Sequence, residues 1–130
     1  DRRRRFLAAH PEIVRRRQAR RNLRREWKWR CRAVISADEA DYLIHTVKAL
    51  KIAVAPHFPA EARAMVCDDV LSQLAESDRN GRAGEVVRQV FAVANASFGG
   101  TAMTPVPLHR DLFSLAADIE MVLQKLEAKL

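Results

Sequence analysis

From residue 36 onward, apolar residues recur three and four positions apart, and no stretch of the chain sustains a two-residue alternation. That period places apolar side chains on one face of a helix, whereas a half-buried strand needs every second residue. The spacing therefore predicts an all-α fold. In residues 36–55 the stripe is Ala40, Leu43, Ile44, Val47, Leu50 and Val54, and Pro56 stops it. Ser36-Ala37-Asp38-Glu39 has the S-x-x-E form in which the first hydroxyl and the last carboxylate cap a helix start, with Ile35 and Ala40 in staple positions. Residues 59–78 repeat the pattern with Ala62, Met65, Val66, Val70, Leu71 and Leu74, opened by Pro59 and ended by Asn80-Gly81. Residues 83–96 bring Val86, Val87, Val90, Phe91 and Ala94, closed at Phe98-Gly99-Gly100. Thr101 to His109, with Pro105 and Pro107, reads as extended. A last helix from about residue 110 carries Leu112, Leu115, Ala116, Ile119, Val122, Leu123 and Leu126. At 130 residues the chain has room for one core.

The remaining segment differs in kind. The first 32 residues hold 14 basic groups against Asp1, Glu12 and Glu26, a balance of +11. The other residues hold nine basic and 13 acidic groups, a balance of −4. Arg2 to Arg5 open a lead-in that ends at His10, and a run of like charge is ordinarily solvated and mobile. Pro11 suits a first helical turn. Residues 11–34 then read as a helix with Ala19, Leu23, Trp27, Cys31 and Val34 on one stripe and arginines around the rest. The expected architecture is about five helices: residues 1–35 form a long basic helix or arm, and residues 36–130 a compact four-helix body.

A self-repelling charge of this size points to a polyanion. Several guanidiniums along one helix can displace condensed counterions from a nucleic acid, and the arginine fork pairs with phosphate at two points. Candidate contacts to DNA or RNA are Arg16, Arg17, Arg20, Arg21, Arg24, Arg25, Lys28, Trp29 and Arg30. Trp27 fits the apolar stripe and is expected to pack. Trp29 lies off it, and either stacks on a base or covers a neighbouring helix. An acidic protein surface is the alternative partner. A membrane is disfavoured, since Phe6, Leu7, Ile13 and Val14 are the only large apolar residues in the N-terminal part.

No catalytic constellation is visible, and the chain reads as a non-enzyme without a cofactor. Asp68 and Asp69 are adjacent and fan apart on a helix, which suits a solvated face. Asp41 and His45 are four apart and can pair locally. The four histidines and the cysteines Cys31 and Cys67 form no close metal-ligand pair. Gly99-Gly100 is too short to cradle a phosphate. Two cysteines give no disulfide framework, no run approaches the roughly 18 apolar residues of a membrane span, and no secretory signal opens the chain. These features favour a reducing, cytoplasmic setting. The chain begins at Asp1 rather than Met, which fits a fragment or a trimmed chain.

Pro59-Ala60-Glu61-Ala62-Arg63, Asp68-Asp69-Val70-Leu71 and Leu74-Ala75-Glu76, followed by Phe98-Gly99 and a Pro/Val/Leu loop, resemble sigma-70 region 2. The closer similarity is to small sigma-like regulators of alphaproteobacteria and their phages, including gene transfer agent activators. It covers about residues 40–108. The resemblance implies a bacterial, nucleoid-associated regulator of transcription whose body contacts RNA polymerase through Asp68 and Asp69, in activation or antitermination. The aromatic-rich segment that melts promoters is reduced here to Phe91 and Phe98, so the resemblance implies polymerase contact without full sigma activity.

Overall fold

The computed structural model describes residues 1–58, 65–98 and 112–130. The described residues are helical, without strands. The helices are α1 (Arg2–Ala9), α2 (Pro11–Ile35), α3 (Glu39–Val54), α4 (Cys67–Ser72), α5 (Glu76–Arg79), α6 (Arg82–Phe98) and α7 (Ala116–Glu127), with 3-10 turns at Ala55–His57 and Phe113–Leu115. The expected helix openings around Pro59 and Arg110, the Gly99-Gly100 end and the extended Thr101 to His109 stretch lie outside the described residues.

Among the described residues seven helices replace the expected five, for two local reasons. The basic lead-in is itself a helix: Asp1 accepts from the amide of Arg3 at 2.9 Å and caps α1. It ends where His10 leaves helical geometry, with Phe6 and His10 stacked at 4.1 Å. The expected helix over 59–78 is broken as well. Helix α4 ends at Ser72, Ala75 is extended (φ −58, ψ 151), and α5 begins at Glu76. The Arg79 guanidinium donates back to the carbonyls of Leu71 (3.0 Å) and Leu74 (3.1 Å), so carbonyls near the break are not left unpaired. The break lets Val70, Leu71 and Leu74 all reach the core.

The α2–α3 turn corrects the expected cap. Helix α2 runs on to Ile35, and Ser36 ends it rather than starting α3. Asp38 donates its amide to Ala33 (2.9 Å) and Ala37 donates to Val34 (3.1 Å), the paired bonds of a Schellman closure. Ala37 sits at φ 54, where glycine is usual. The cap of α3 is Asp38, whose carboxylate accepts from the amide of Asp41 at 3.0 Å. Ile35 is not a staple; it is 85 % exposed.

Helix α3 is central. It packs against α2, α4, α6 and α7, and its Leu43, Leu50 and Val54 are fully buried. Val86, Val87, Val90, Phe91 and Ala94 of α6 are buried as the spacing predicts, and so are Ile119, Val122, Leu123 and Leu126 of α7. At the surface, Arg82 of α6 bonds Asp118 of α7 at 2.9 Å, and Lys125 of α7 meets Asp78 of α5 at 3.3 Å. Helices α2 and α3 form an antiparallel hairpin. At about 1.5 Å per residue α2 is roughly 37 Å long against 24 Å for α3, and its N-terminal turns run on past α3 to the Ala55–His57 turn, with Val14 and Arg15 beside Ala55 and Pro56.

Candidate nucleic-acid interface

Five residues of α2 are buried: Ala19, Leu23, Glu26, Arg30 and Ala33. Their alternating spacing of four and three marks one line along the helix. Setting that line as zero, with about 100° per residue, fixes the direction of every other side chain. Arg17, Arg21, Arg25 and Lys28 fall on the far side. Arg16, Arg20 and Arg24 lie to one flank, the flank of Trp27. All seven are exposed, and none has an ion-pair partner among the described residues. Arg2 to Arg5 of α1 are exposed too. Among the described residues the cationic surface is therefore exposed and has no carboxylate paired with it.

Arg30 does not belong to it. It is 4 % exposed, with Nε donating to Glu120 Oε1 at 3.0 Å and Nη2 to Oε2 at 3.2 Å. Its role as a phosphate contact is corrected to that of a buried fork tying α2 to α7. Glu120 and burial act together on the neighbouring Tyr42: burial first, then the carboxylate, push its hydroxyl up to about 12.

Trp27 and Trp29 flank the buried line by roughly 80° on opposite sides. Trp27, expected to pack, is the more exposed of the two at 52 %. Trp29 lies parallel to the His45 ring, centroids 5.4 Å apart, and Arg32 sits over it at 4.9 Å. It covers the neighbouring helix, as one of its two readings had it, while its edge stays exposed.

Under Trp29 lies a group the sequence showed only in part. His45 pairs through Nδ1 with Glu26, which is 4 % exposed, and approaches Asp41 through Nε2 at 3.6 Å. Lys48 reaches Glu26 at 3.7 Å. The Asp41–His45 pair was legible from its spacing of four. Glu26 was legible only as the lone acid in an arginine run, and its burial follows from the position it shares with Leu23 and Arg30.

Asp68 and Asp69 separate in role. Both stand in the first turn of α4, not in mid-helix. Asp69 is 6 % exposed and accepts from the amide of Val66 at 2.8 Å, so its carboxylate fixes the helix start. It is corrected from a docking charge to a structural cap; Asp68 is exposed. Near the N-terminal end of α2, burial, Arg16 and Lys129 together lower the pKa of His57 below the ordinary histidine value. Burial acts first, and the two cations add to it. Among the described residues no three His, Cys, Asp or Glu side chains assemble to hold a metal, and no helix is long and apolar enough to cross a membrane.

No protein-family model, curated protein or solved structure matches the chain.

Proposed function

We propose that this chain is a nucleic-acid-binding regulator of transcription whose α2 lies along a phosphate backbone. The observation that carries the reading is the row Arg17, Arg21, Arg25 and Lys28, exposed on one face of a rigid helix and without carboxylate partners among the described residues. Successive members are three or four residues apart, about 4.5–6 Å along the axis. That interval is comparable to the phosphate repeat of an extended strand. Arg16, Arg20, Arg24 and the arginines of α1 widen the field and steer association. Binding of this kind reads backbone rather than sequence. Transcription enters through the likeness to sigma region 2, and Asp68 is the exposed carboxylate left to meet polymerase.

The test is fluorescence anisotropy with labelled duplex DNA and single-stranded RNA across a salt series. Binding should fall linearly in log–log form. Replacing Arg17, Arg21, Arg25 and Lys28 with Ala should flatten the slope by about 0.9 per lost contact on duplex DNA, or about 0.7 on a single strand. An unchanged slope would remove this face from the interface. Binding to neither nucleic acid would favour an acidic protein as the ligand. In parallel, Asp68→Lys should lower co-purification with RNA polymerase while leaving nucleic-acid affinity intact. Undiminished co-purification would end the polymerase half of the reading.

A further inference from the structure

The Trp27 flank of α2 has a different character from its far side. Helices α2 and α7 do not pack closely; the Arg30–Glu120 pair bridges the gap between them. On one side of the bridge is a hollow of about 200 Å³ bordered by Leu23, Arg24, Trp27, Leu123 and Glu127. On the other is one of about 360 Å³ walled by Trp27, Cys31, Val34, Ile35, Tyr42 and Ala116. Trp27, Arg30 and Glu120 border both, so the two hollows lie end to end as a groove divided by the bridge.

The pattern along this flank is ordered. Its N-terminal half presents Arg16, Arg20 and Arg24, and its C-terminal half Trp27, Cys31 and Val34, with Ile35 bordering the hollow at the helix end. Trp27, Val34 and Ile35 are exposed, while α2 buries a glutamate and an arginine instead. An apolar surface left open by a helix that buries charge marks an interaction site. The Arg30 Nη1, fully buried between the two hollows, has no acceptor among the described residues.

We infer that this groove takes an amphipathic helix of a partner protein, apolar along one half and acidic along the other. The apolar half covers Trp27, Val34 and Ile35, and the acidic half meets Arg16, Arg20 and Arg24. Charge complementarity selects this occupant. Glu127 is the acid bordering the arginine end, and three guanidiniums outnumber it. A second copy would oppose Arg16, Arg20 and Arg24 with the same flank's arginines or with its apolar half, and neither supplies carboxylates. The flank from Arg16 to Ile35 is about five helical turns, which sets the length of the ligand. The site is centred on Trp27, roughly a quarter-turn from the phosphate-facing row of Arg17, Arg21, Arg25 and Lys28, with Arg24 and Ile35 at the border between the two.

The probe is a labelled synthetic helical peptide of about 20 residues, with leucines at helical spacing in one half and glutamates in the other, made in both orders. Controls carry the same composition scrambled, or lysine in place of glutamate. One of the two ordered peptides should bind the full chain saturably by anisotropy, and both controls should bind at least about tenfold more weakly. Trp27→Ala and Ile35→Glu should each weaken peptide binding at least about tenfold and leave duplex DNA binding unchanged. Both side chains are exposed, so circular dichroism should show the fold retained. Equal binding of the scrambled peptide, or insensitivity to both substitutions, would overturn the inference. So would loss of DNA affinity in Ile35→Glu, which would assign the flank to nucleic acid. Sedimentation showing a dimer that Ile35→Glu dissociates would overturn it in favour of a second copy.

Discussion

Ala37 holds a backbone conformation that costs an L-residue roughly 1–2 kcal/mol, and it does so because the Schellman closure places the α3 cap correctly. Ala37→Gly should therefore raise stability by about 1 kcal/mol in chemical denaturation, Asp38→Ala should lower it by about 1 kcal/mol, and Ser36→Ala should change it by less than about 0.5 kcal/mol. A larger loss at Ser36 than at Asp38 would restore the S-x-x-E reading. That motif was legible but misleading: the choice between two capping side chains depends on where α2 ends, and Ile35 extends α2 by a residue. The Arg30–Glu120 pair gives a second test at this scale. Glu120→Leu leaves a buried guanidinium without its partner and should cost about 3 kcal/mol, the lower end of the range, since Glu120 is 34 % exposed. Adding Arg30→Met should recover most of the loss. A double variant as unstable as the single would mean that the pair holds α2 against α7 by more than its own charge.

At the scale of elements, the contact of α5 with α6 depends on one missing side chain. A Cβ on Gly84 would lie 1.9 Å from the Arg79 carbonyl oxygen and 2.6 Å from its carbon. Glycine to alanine ordinarily stabilises a helix. Here it should do the opposite: Gly84→Ala should cost about 3 kcal/mol, the upper end of overpacking, read as a shift in the denaturation midpoint without a change in slope. A gain in stability would mean that α5 moves aside freely. Nothing in the sequence near Gly84 announces this contact. Its cause is the tight turn at Asn80-Gly81, which leaves the Arg79 carbonyl against α6 five residues later. The spacing of Val70, Leu71 and Leu74 gave their burial correctly but not the break between them, because three apolar residues within one turn fit a continuous helix equally well. On α6 and α7 pattern and structure agree, since each helix packs one face against the same core and nothing interrupts its period.

For the whole molecule, the charge split has a thermodynamic consequence. The arginines of α1 and α2 repel one another in the fold, and most have no ion-pair partner among the described residues. Screening should relieve that repulsion, so the melting temperature should rise by a few degrees from low salt to about 0.3 M, near 1 kcal/mol. A fall would mean that attractive pairs such as Arg82–Asp118 outweigh the repulsion. The sequence by itself determined the helical class, the faces of α6 and α7, and the cationic α2, because periodicity and net charge are properties of the chain alone. The stripe put Ala19 and Leu23 inside correctly, and tertiary structure alone decided which side of the C-terminal half of α2 is inside. The apolar stripe through Trp27, Cys31 and Val34 suggested one face, yet the helix buries Glu26, Arg30 and Ala33. The partners His45, on α3, and Glu120, on α7, lie 19 and 90 residues away in the chain. A buried charge is tolerated only where a distant group meets it, and that meeting is a fact of packing which no local pattern encodes.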